Sequence, residues 1–398
     1  MDLQEYFDEF TARDWPQAAD GTVRFAMIGL GWWTLDHAIP ATNELDHLET
    51  TAVVSSSTEK AEGVAEQHET IEHALTYDEF QDGAAADAYD AAYVATPNAL
   101  HLPYVETAAE YGNDVFCEKP LEANAERAEK LVSAAEDVTL GVEYRMHVQP
   151  AVRMMRRLIA DGFIGDPTHV HGNMSQLLLD INDDPNQWRL NPDLAGAGGS
   201  ITDLGVYSIN TTRFVLDADP IAVSGATWTG TEEFESIPDE RAAFTVEFPD
   251  GVLASCTASQ NAHYASSLRV VGTEGELLLE DAFLDGEREL TVTRGDTSIT
   301  TNFDQIAETK ESFRYFGDHV LTGTPIVGDG EHGLGSERWR RSVAEPVVER
   351  SEFVAFGGQP PEKIPVPVVG ELDRAGQRVV VCGLFRVFGH ADSAKAGS

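Results

Sequence analysis

The stretch VRFAMIGLGWWT, residues 23–34, decides the fold. It is a buried-strand pattern that runs into a Gly-Leu-Gly turn, and helical spacing follows from about residue 37 to residue 47. A glycine turn between a strand and a helix is the setting in which a dinucleotide fingerprint carries meaning. Gly29 permits the tight turn, and Gly31 lets the backbone approach a pyrophosphate at the helix N-terminus. Thr34 stands where a third glycine is usual, so the motif alone is also compatible with a purely structural strand–helix turn.

Outward from this unit, strands are expected at 50–57, 91–97, 114–120 and 138–145, and helices from 58, over 100–111 and over 124–135. Strand and helix alternate with short connections, which predicts a parallel sheet with helices on both faces. After His147 the rhythm changes. A helix (151–161), a strand (168–177), an irregular segment (178–194) and the glycine-rich AGAGGS (195–200) lead to an apolar-faced helix (202–216). Alternating strands fill 221 to about 301, with a turn at Pro249-Asp250-Gly251. The expected division is an acidic leader (1–20), an α/β nucleotide-binding domain (21–147), an α+β domain on a large, mostly antiparallel sheet (148–334), and an atypical C-terminal segment (335–398).

The chain of 398 residues carries 68 Asp and Glu against 27 Lys and Arg, a net charge of −41. That field excludes binding to nucleic acid or an anionic membrane through net charge. No apolar run reaches the length of a membrane span, and MDLQEYFDEFTARDW lacks the basic and apolar parts of a signal peptide. Cys117, Cys256 and Cys382 are too far apart for a zinc pattern or a disulfide framework, which fits a reducing cytoplasm. His169 and His171 have no further ligand at metal-binding spacing, so no metal is expected. The acids are spread along the chain, as in a solvated surface whose self-repulsion is relieved at molar salt, where the Debye length is roughly 3 Å. A halophilic cytoplasmic protein is expected. The charge changes at the end: residues 336–398 hold 9 basic and 8 acidic side chains, whereas the first 335 carry a net −42.

Three further constellations bear on chemistry. The second strand ends in Ser55, Ser56 and Ser57, with Lys60 in the next helix. Hydroxyls and a lysine replace the acid that would repel a 2′-phosphate, which favours NADP over NAD. Ser57 or Thr58 also suits a helix cap, and Glu59 argues mildly the other way. Lys119 is one of only six lysines and stands at a strand end, on the ligand edge of such a sheet. Asp203 and Tyr207 share one helix face at i,i+4. A tyrosine beside a cation can serve as a proton acceptor.

Together these residues resemble the Gfo/Idh/MocA oxidoreductases, the glucose–fructose oxidoreductase-like family. The likeness rests on GLGWWT, Ser55–Lys60, Thr96-Pro97-Asn98 with His101, Glu118-Lys119-Pro120, and Gly198-Gly199-Ser200 followed by Asp203 and Tyr207. The wording of GLGWWT, SSSTEK and EYRMH is similar to that of halophilic D-xylose dehydrogenases within the family. The resemblance implies a Rossmann domain followed by an open-faced sheet that mediates homodimers or homotetramers. It implies a cis Lys119–Pro120 bond. It also implies catalysis by Lys119, Asp203 and Tyr207 on a sugar whose C1 is oxidised to the lactone by NADP. Trp32, Trp33, Thr96, Asn98, His101 and Glu118 would join Gly29, Gly31 and the serine–lysine segment around the cofactor. Tyr144, Arg145, Trp188 and Arg189 would line the sugar pocket. A polyol, inositol or dihydrodiol dehydrogenase, an enzyme that keeps its cofactor bound through a redox cycle, and a nucleotide-sensing regulator are the alternatives. The family pattern continues past His332-Gly333-Leu334 with an amphipathic helix. From residue 335 that helix is not readable here, so the end reads as an unrelated extension or an out-of-frame reading.

Overall fold

The computed structural model describes residues 6–344, apart from 8 and 197, and two short strands at 369–372 and 378–381. Six parallel strands form the first sheet: β1 (Val23–Ile28), β2 (Leu48–Ser55), β3 (His73–Thr76), β4 (Ala91–Val94), β5 (Asp114–Cys117) and β6 (Leu140–Val142). Their order is β3-β2-β1-β4-β5-β6. The order reverses between β1 and β4, which opens a crevice at the strand C-termini. β4 is buried at every position because helices cover both faces, hence its apolar reading, AAYV. The helices are α1 (Ile39–Asn43, entered through a π-helical turn at Thr34–Ala38), α2 (Thr58–Ala65), α3 (Tyr77–Gln81), α4 (His101–Glu110) and α5 (Ala125–Ala134).

The β3–α3 unit is absent from the sequence reading. β3 is four residues, HALT, with one buried side chain, so no alternation shows. The one local signal is the capping box between Thr76 and Glu79 at the start of α3.

After α6 (Pro150–Ala160) the chain builds a second sheet from β7 (Pro167–Leu177). It continues with β8 (Ala222–Trp228), β9 (Arg241–Glu247), β10 (Leu253–Ser259), β11 (Asn261–Gly272), β12 (Gly275–Glu280), β13 (Arg288–Arg294) and β14 (Thr297–Phe303), then β15 (Val369–Leu372) and β16 (Arg378–Val381). The order is β14-β13-β12-β11-β7-β10-β9-β8-β15-β16. β7 and β10 pair in parallel, and the other pairs are antiparallel. α6 and α7 (Val206–Leu216, entered through a π-helical turn at Ile201–Gly205) pack on one face. At Gly172 a Cβ would come within 2.8 Å of Ser208 Oγ, so a glycine lets α7 sit close. The other face is open: β9 alternates strictly between exposed and buried.

The chain then returns to the first sheet. α8 (Glu308–Thr322) sets Phe313 and Phe316 against Phe25 and Phe116, with ring centroids 4.7–6.0 Å apart. Each fully buried phenylalanine contributes about 1.5–3 kcal/mol. The described part of 1–20, read as a leader, is docked here. Trp15 Nε1 donates to Asp318 Oδ2 (2.9 Å), Ala18 N donates to Asp318 Oδ1 (2.9 Å), and the Arg153 guanidinium lies 4.4 Å over the Trp15 ring. A single anchoring tryptophan in an acidic stretch leaves no periodic signal.

A second difference concerns residue 335 onward, where α9 (Gly330–Ala344) runs on as a helix. Its buried positions include Gly333, Leu334, Ser336 and Glu337. Among its described side chains the buried ones are mostly small or polar, so apolar periodicity is weak there. Arg213 Nη1, donating to Ser336 Oγ at 2.7 Å, stands in for apolar packing. Apart from β15 and β16, the remainder of the segment expected to be atypical lies outside the described residues.

Candidate active site

The C-terminal ends of the parallel strands open onto a cavity of ≈ 800 Å³, closed on its far side by the second sheet and the start of α7. Four strand ends contribute to it: Gly31, Trp32 and Trp33 after β1, Thr96 and Asn98 after β4, Glu118 and Lys119 after β5, and Glu143 and Arg145 after β6. Trp188, Arg189, Asp203 and Tyr207 face them.

Lys119 precedes a cis peptide bond to Pro120. Its Nζ donates to Asp203 Oδ1 (2.9 Å) and to the Asp203 carbonyl (3.1 Å), and lies 4.8 Å from the centre of the Tyr207 ring. The other Asp203 oxygen accepts from Gln260 Nε2 (2.9 Å) and Arg189 Nε (3.3 Å). Burial opposes ionisation of Asp203, but Lys119 and then Arg189 outweigh it and hold the carboxyl well below the usual carboxylate range. Burial likewise opposes the charge on Lys119. Asp203, with Tyr207 next, overcomes it and raises the ammonium above its ordinary value. The pair is therefore charged throughout the neutral range.

Tyr207 is held from a second side. Arg145 Nε donates to its Oη at 3.0 Å. The rest of the guanidinium bonds Asp285 Oδ1 (3.0 Å), Glu308 Oε2 (2.5 Å) and the Phe283 carbonyl (2.6 Å). Arg145 thus ties the end of β6 to α7, α8 and the loop before β13, and it fixes the direction of the phenol oxygen.

At the glycine turn, Gly29 has φ +92°, and a Cβ there would lie 2.7 Å from the Ala95 carbonyl. Nothing comes within 4 Å of a Cβ built on Gly31, so that backbone is bare toward the cavity. Thr34 explains its own departure from the glycine pattern: its buried hydroxyl donates to the Gly29 carbonyl at 2.6 Å and braces the turn. At the end of β2, Ser56, Ser57 and Lys60 are exposed and Ser55 is buried. Ser57 Oγ accepts from Lys60 N at 3.2 Å and so caps α2. The first carboxylate there, Glu59, is exposed in the first turn of α2.

Two side chains expected at the ligand do not line this cavity. His101 is fully buried behind the wall, with Nε2 2.8 Å from the Thr96 carbonyl and Nδ1 3.1 Å from the Leu121 carbonyl. It joins the loops after β4 and β5 and does not line the cavity, because its ring is spent bracing them. Tyr144 packs on His147 and His332 at 5.4 and 5.7 Å and borders a small separate pocket with Lys119, Glu143 and Tyr207. Asn98 Nδ2 donates to the Ala195 carbonyl (2.9 Å), and Glu118 Oε1 accepts from Tyr93 Oη (2.6 Å). The Arg189 guanidinium stacks 4.6 Å over the Trp188 ring. Sequence reasoning missed Gln260, Glu308, Asp285 and Glu143. Only Glu143 had a local signal, an acid directly after the apolar strand Leu140–Val142.

Residues 23–144 match the oxidoreductase family with an NAD-binding Rossmann fold, and residues 152–278 match the GFO/IDH/MocA C-terminal domain. The chain belongs to the GFO/IDH/MocA oxidoreductase family. Within that family it is 51% identical over 350 residues to a D-xylose 1-dehydrogenase [NADP(+)] of Haloarcula marismortui, a match covering 87% of this chain and 97% of that protein. It is 30% identical over 327 residues to D-xylose 1-dehydrogenase (NADP(+)) 2 of Haloferax volcanii, covering 81% and 96%. Among solved structures of similar fold is an aldose–aldose oxidoreductase from Caulobacter crescentus complexed with glycerol. It has a TM-score of 0.74 and 27% identity over 80% of this chain and 95% of that one. The Rossmann sheet followed by a large, mostly antiparallel sheet is therefore the family architecture.

Proposed function

We propose that this family member oxidises an aldose, D-xylose in the first place, at C1 to the aldono-lactone, with NADP as hydride acceptor. The observation that carries the reading is the Lys119–Asp203–Tyr207 cluster on the cavity at the strand ends, in a chain half identical to a protein named for that reaction.

The residues fit the cofactor. The bare backbone at Gly31 and the braced turn at Gly29 suit a pyrophosphate. Ser56, Ser57 and Lys60 leave an open site for a 2′-phosphate, beside Ser55. Trp32, Trp33, Thr96, Asn98, Glu118 and Lys119 would hold the nicotinamide end. The cofactor, when bound, supplies the hydride acceptor. The protein's part is positioning and proton handling. Asp203 fixes Lys119, and Arg145 aims Tyr207 Oη. Lys119 and Tyr207 then bracket one point, suited to the C1 hydroxyl, where Tyr207 relays the hydroxyl proton. Trp188 and Arg189 offer a stacking face and a donor to the rest of the sugar.

The open face of the second sheet carries exposed Trp228 and Leu253, which supports a homodimer or homotetramer through that face. Among the described residues no helix is long and apolar enough to cross a membrane. With the cysteine usage, this supports a cytoplasmic enzyme, and the acidity and the Haloarcula relative support a halophilic one.

The test is NADP reduction in molar KCl, with NAD alongside, against xylose, arabinose, ribose, glucose and myo-inositol. Fastest turnover with xylose and NADP is expected. Preference for myo-inositol would replace the substrate. NADP binding without turnover of any sugar would favour a nucleotide-binding regulator.

A further inference from the structure

Two carboxyl groups lie side by side at the inner wall of the cavity, and the reaction as read so far uses one of them. β5 and β6 are parallel neighbours with Cys117 opposite Val142. Glu118 and Glu143 therefore leave adjacent strand ends at the same register, and Glu143 N donates to the Cys117 carbonyl at 2.8 Å. Residues in register on strands about 4.8 Å apart point to the same face. Glu118 has donors for both oxygens, Tyr93 Oη at 2.6 Å and Lys119 N at 3.1 Å. Glu143 is 2% exposed, and its Oε1 has no hydrogen-bond partner.

Among the described residues the nearby cations are engaged elsewhere, although the charge of Arg145 still eases ionisation of Glu143. Lys119 is spent on Asp203, and Arg145 on Tyr207, Asp285, Glu308 and the Phe283 carbonyl. From α8 the site is faced by Glu308 and Ser312, from β4 by Tyr93 and from β5 by Glu118. Two adjacent carboxyls, one buried and one half-buried, do not both ionise cheaply. Burial, then the charge of Glu118, push Glu143 up to about 8.

We propose that Glu118 and Glu143 share one proton in the unliganded enzyme, and that this proton leaves for solvent when the oxidised nicotinamide ring, a fixed cation, settles against them. The inference rests on the NADP reading above. Its charge balance closes: the pair with one proton carries −1, and the ionised pair plus the cationic ring also carries −1. The reduced ring is neutral and leaves the proton in place. Glu143 is then the group that lets the cavity tell the oxidised cofactor from the reduced one.

The experiment is calorimetric titration of the full chain in molar KCl at pH 7, with NADP⁺ and with NADPH, in buffers of different ionisation enthalpy. Both cofactors carry the same 2′-phosphate, so the difference in proton release isolates the ring. Release of close to one more proton with NADP⁺ is expected. The ratio of NADP⁺ to NADPH affinity should also rise as pH increases, by up to about tenfold per pH unit, and level off above about pH 8. In Glu143→Gln both differences should vanish while NADPH still binds, which also reports that the variant is folded. Equal proton release by the two cofactors in the unmodified protein overturns the proposal and leaves the NADP reading intact. So does wild-type release from Glu143→Gln. Failure of both cofactors to bind overturns the function itself, and this inference with it.

Discussion

Lys119 makes two bonds to one residue, and both end on Asp203. Lys119→Met therefore leaves Asp203 with Arg189 and Gln260 as partners, and removes the ammonium from beside the Tyr207 ring. Turnover should fall by about 10²–10⁴-fold, the usual scale of a lost proton-transfer group. NADP affinity, measured by fluorescence titration, should stay within a few-fold, and wild-type turnover would end the assignment. The pH dependence has a definite sign. Asp203 has a depressed folded pKa, so its contribution to stability is present above its unfolded value of about 4 and is lost only as pH falls through the folded one. A limb between pH 6 and 9 in kcat/KM for NADP, which reports the free enzyme, therefore belongs to another group, and Glu143, raised to about 8, is the one the wall supplies.

Among the elements, α8 carries out-of-sequence work. It packs behind the parallel sheet, holds Arg145 through Glu308, and fixes the N-terminal segment through Asp318. Asp318→Ala strands the buried Trp15 N–H and the Ala18 N–H. It should cost about 1–3 kcal/mol in urea unfolding and raise hydrogen exchange over residues 13–18. Unchanged exchange there would show that the ring contacts and the Arg13–Glu311 and Asp14–Arg153 ion pairs hold the segment without Asp318. The same helix shows what sequence reading reaches. β1, β4 and β5 are legible as apolar runs stopped by glycine, proline or charge, since both their faces are covered. Lys119, Asp203 and Tyr207 are legible because each sits in a short spaced motif next to a strand end or helix start. The Arg145 network is not, because its partners lie 62 to 163 residues away and come together only through the fold. The Glu118–Glu143 pair needs the knowledge that β5 and β6 are neighbours in register. The first turns of α9 are hard to read for a local reason: beside Leu334 their buried positions are glycine, serine and glutamate.

For the whole molecule the controlling quantity is the excess of 41 negative charges over positive. The ion pairs of the described residues are mostly Arg–carboxylate contacts with at least one exposed partner, which contribute about 0–1 kcal/mol each and weaken in salt. Mutual repulsion of the unpaired carboxylates acts the other way and is relieved by salt. Two mechanisms would both raise the melting temperature with KCl, and they differ in shape. Screening works while the Debye length falls from about 10 Å at 0.1 M to about 3 Å at 1 M, and then saturates. Strengthened apolar burial keeps growing with salt concentration. The charge argument therefore predicts a rise of about 10 °C or more, worth a few kcal/mol for a chain of this size, with most of it complete by 1 M KCl. A differential scanning series from 0.1 to 4 M decides. A flat series removes the halophilic reading. A rise that continues in proportion to salt up to 4 M assigns the effect to burial of the two cores, with the surface charge serving solubility rather than stability.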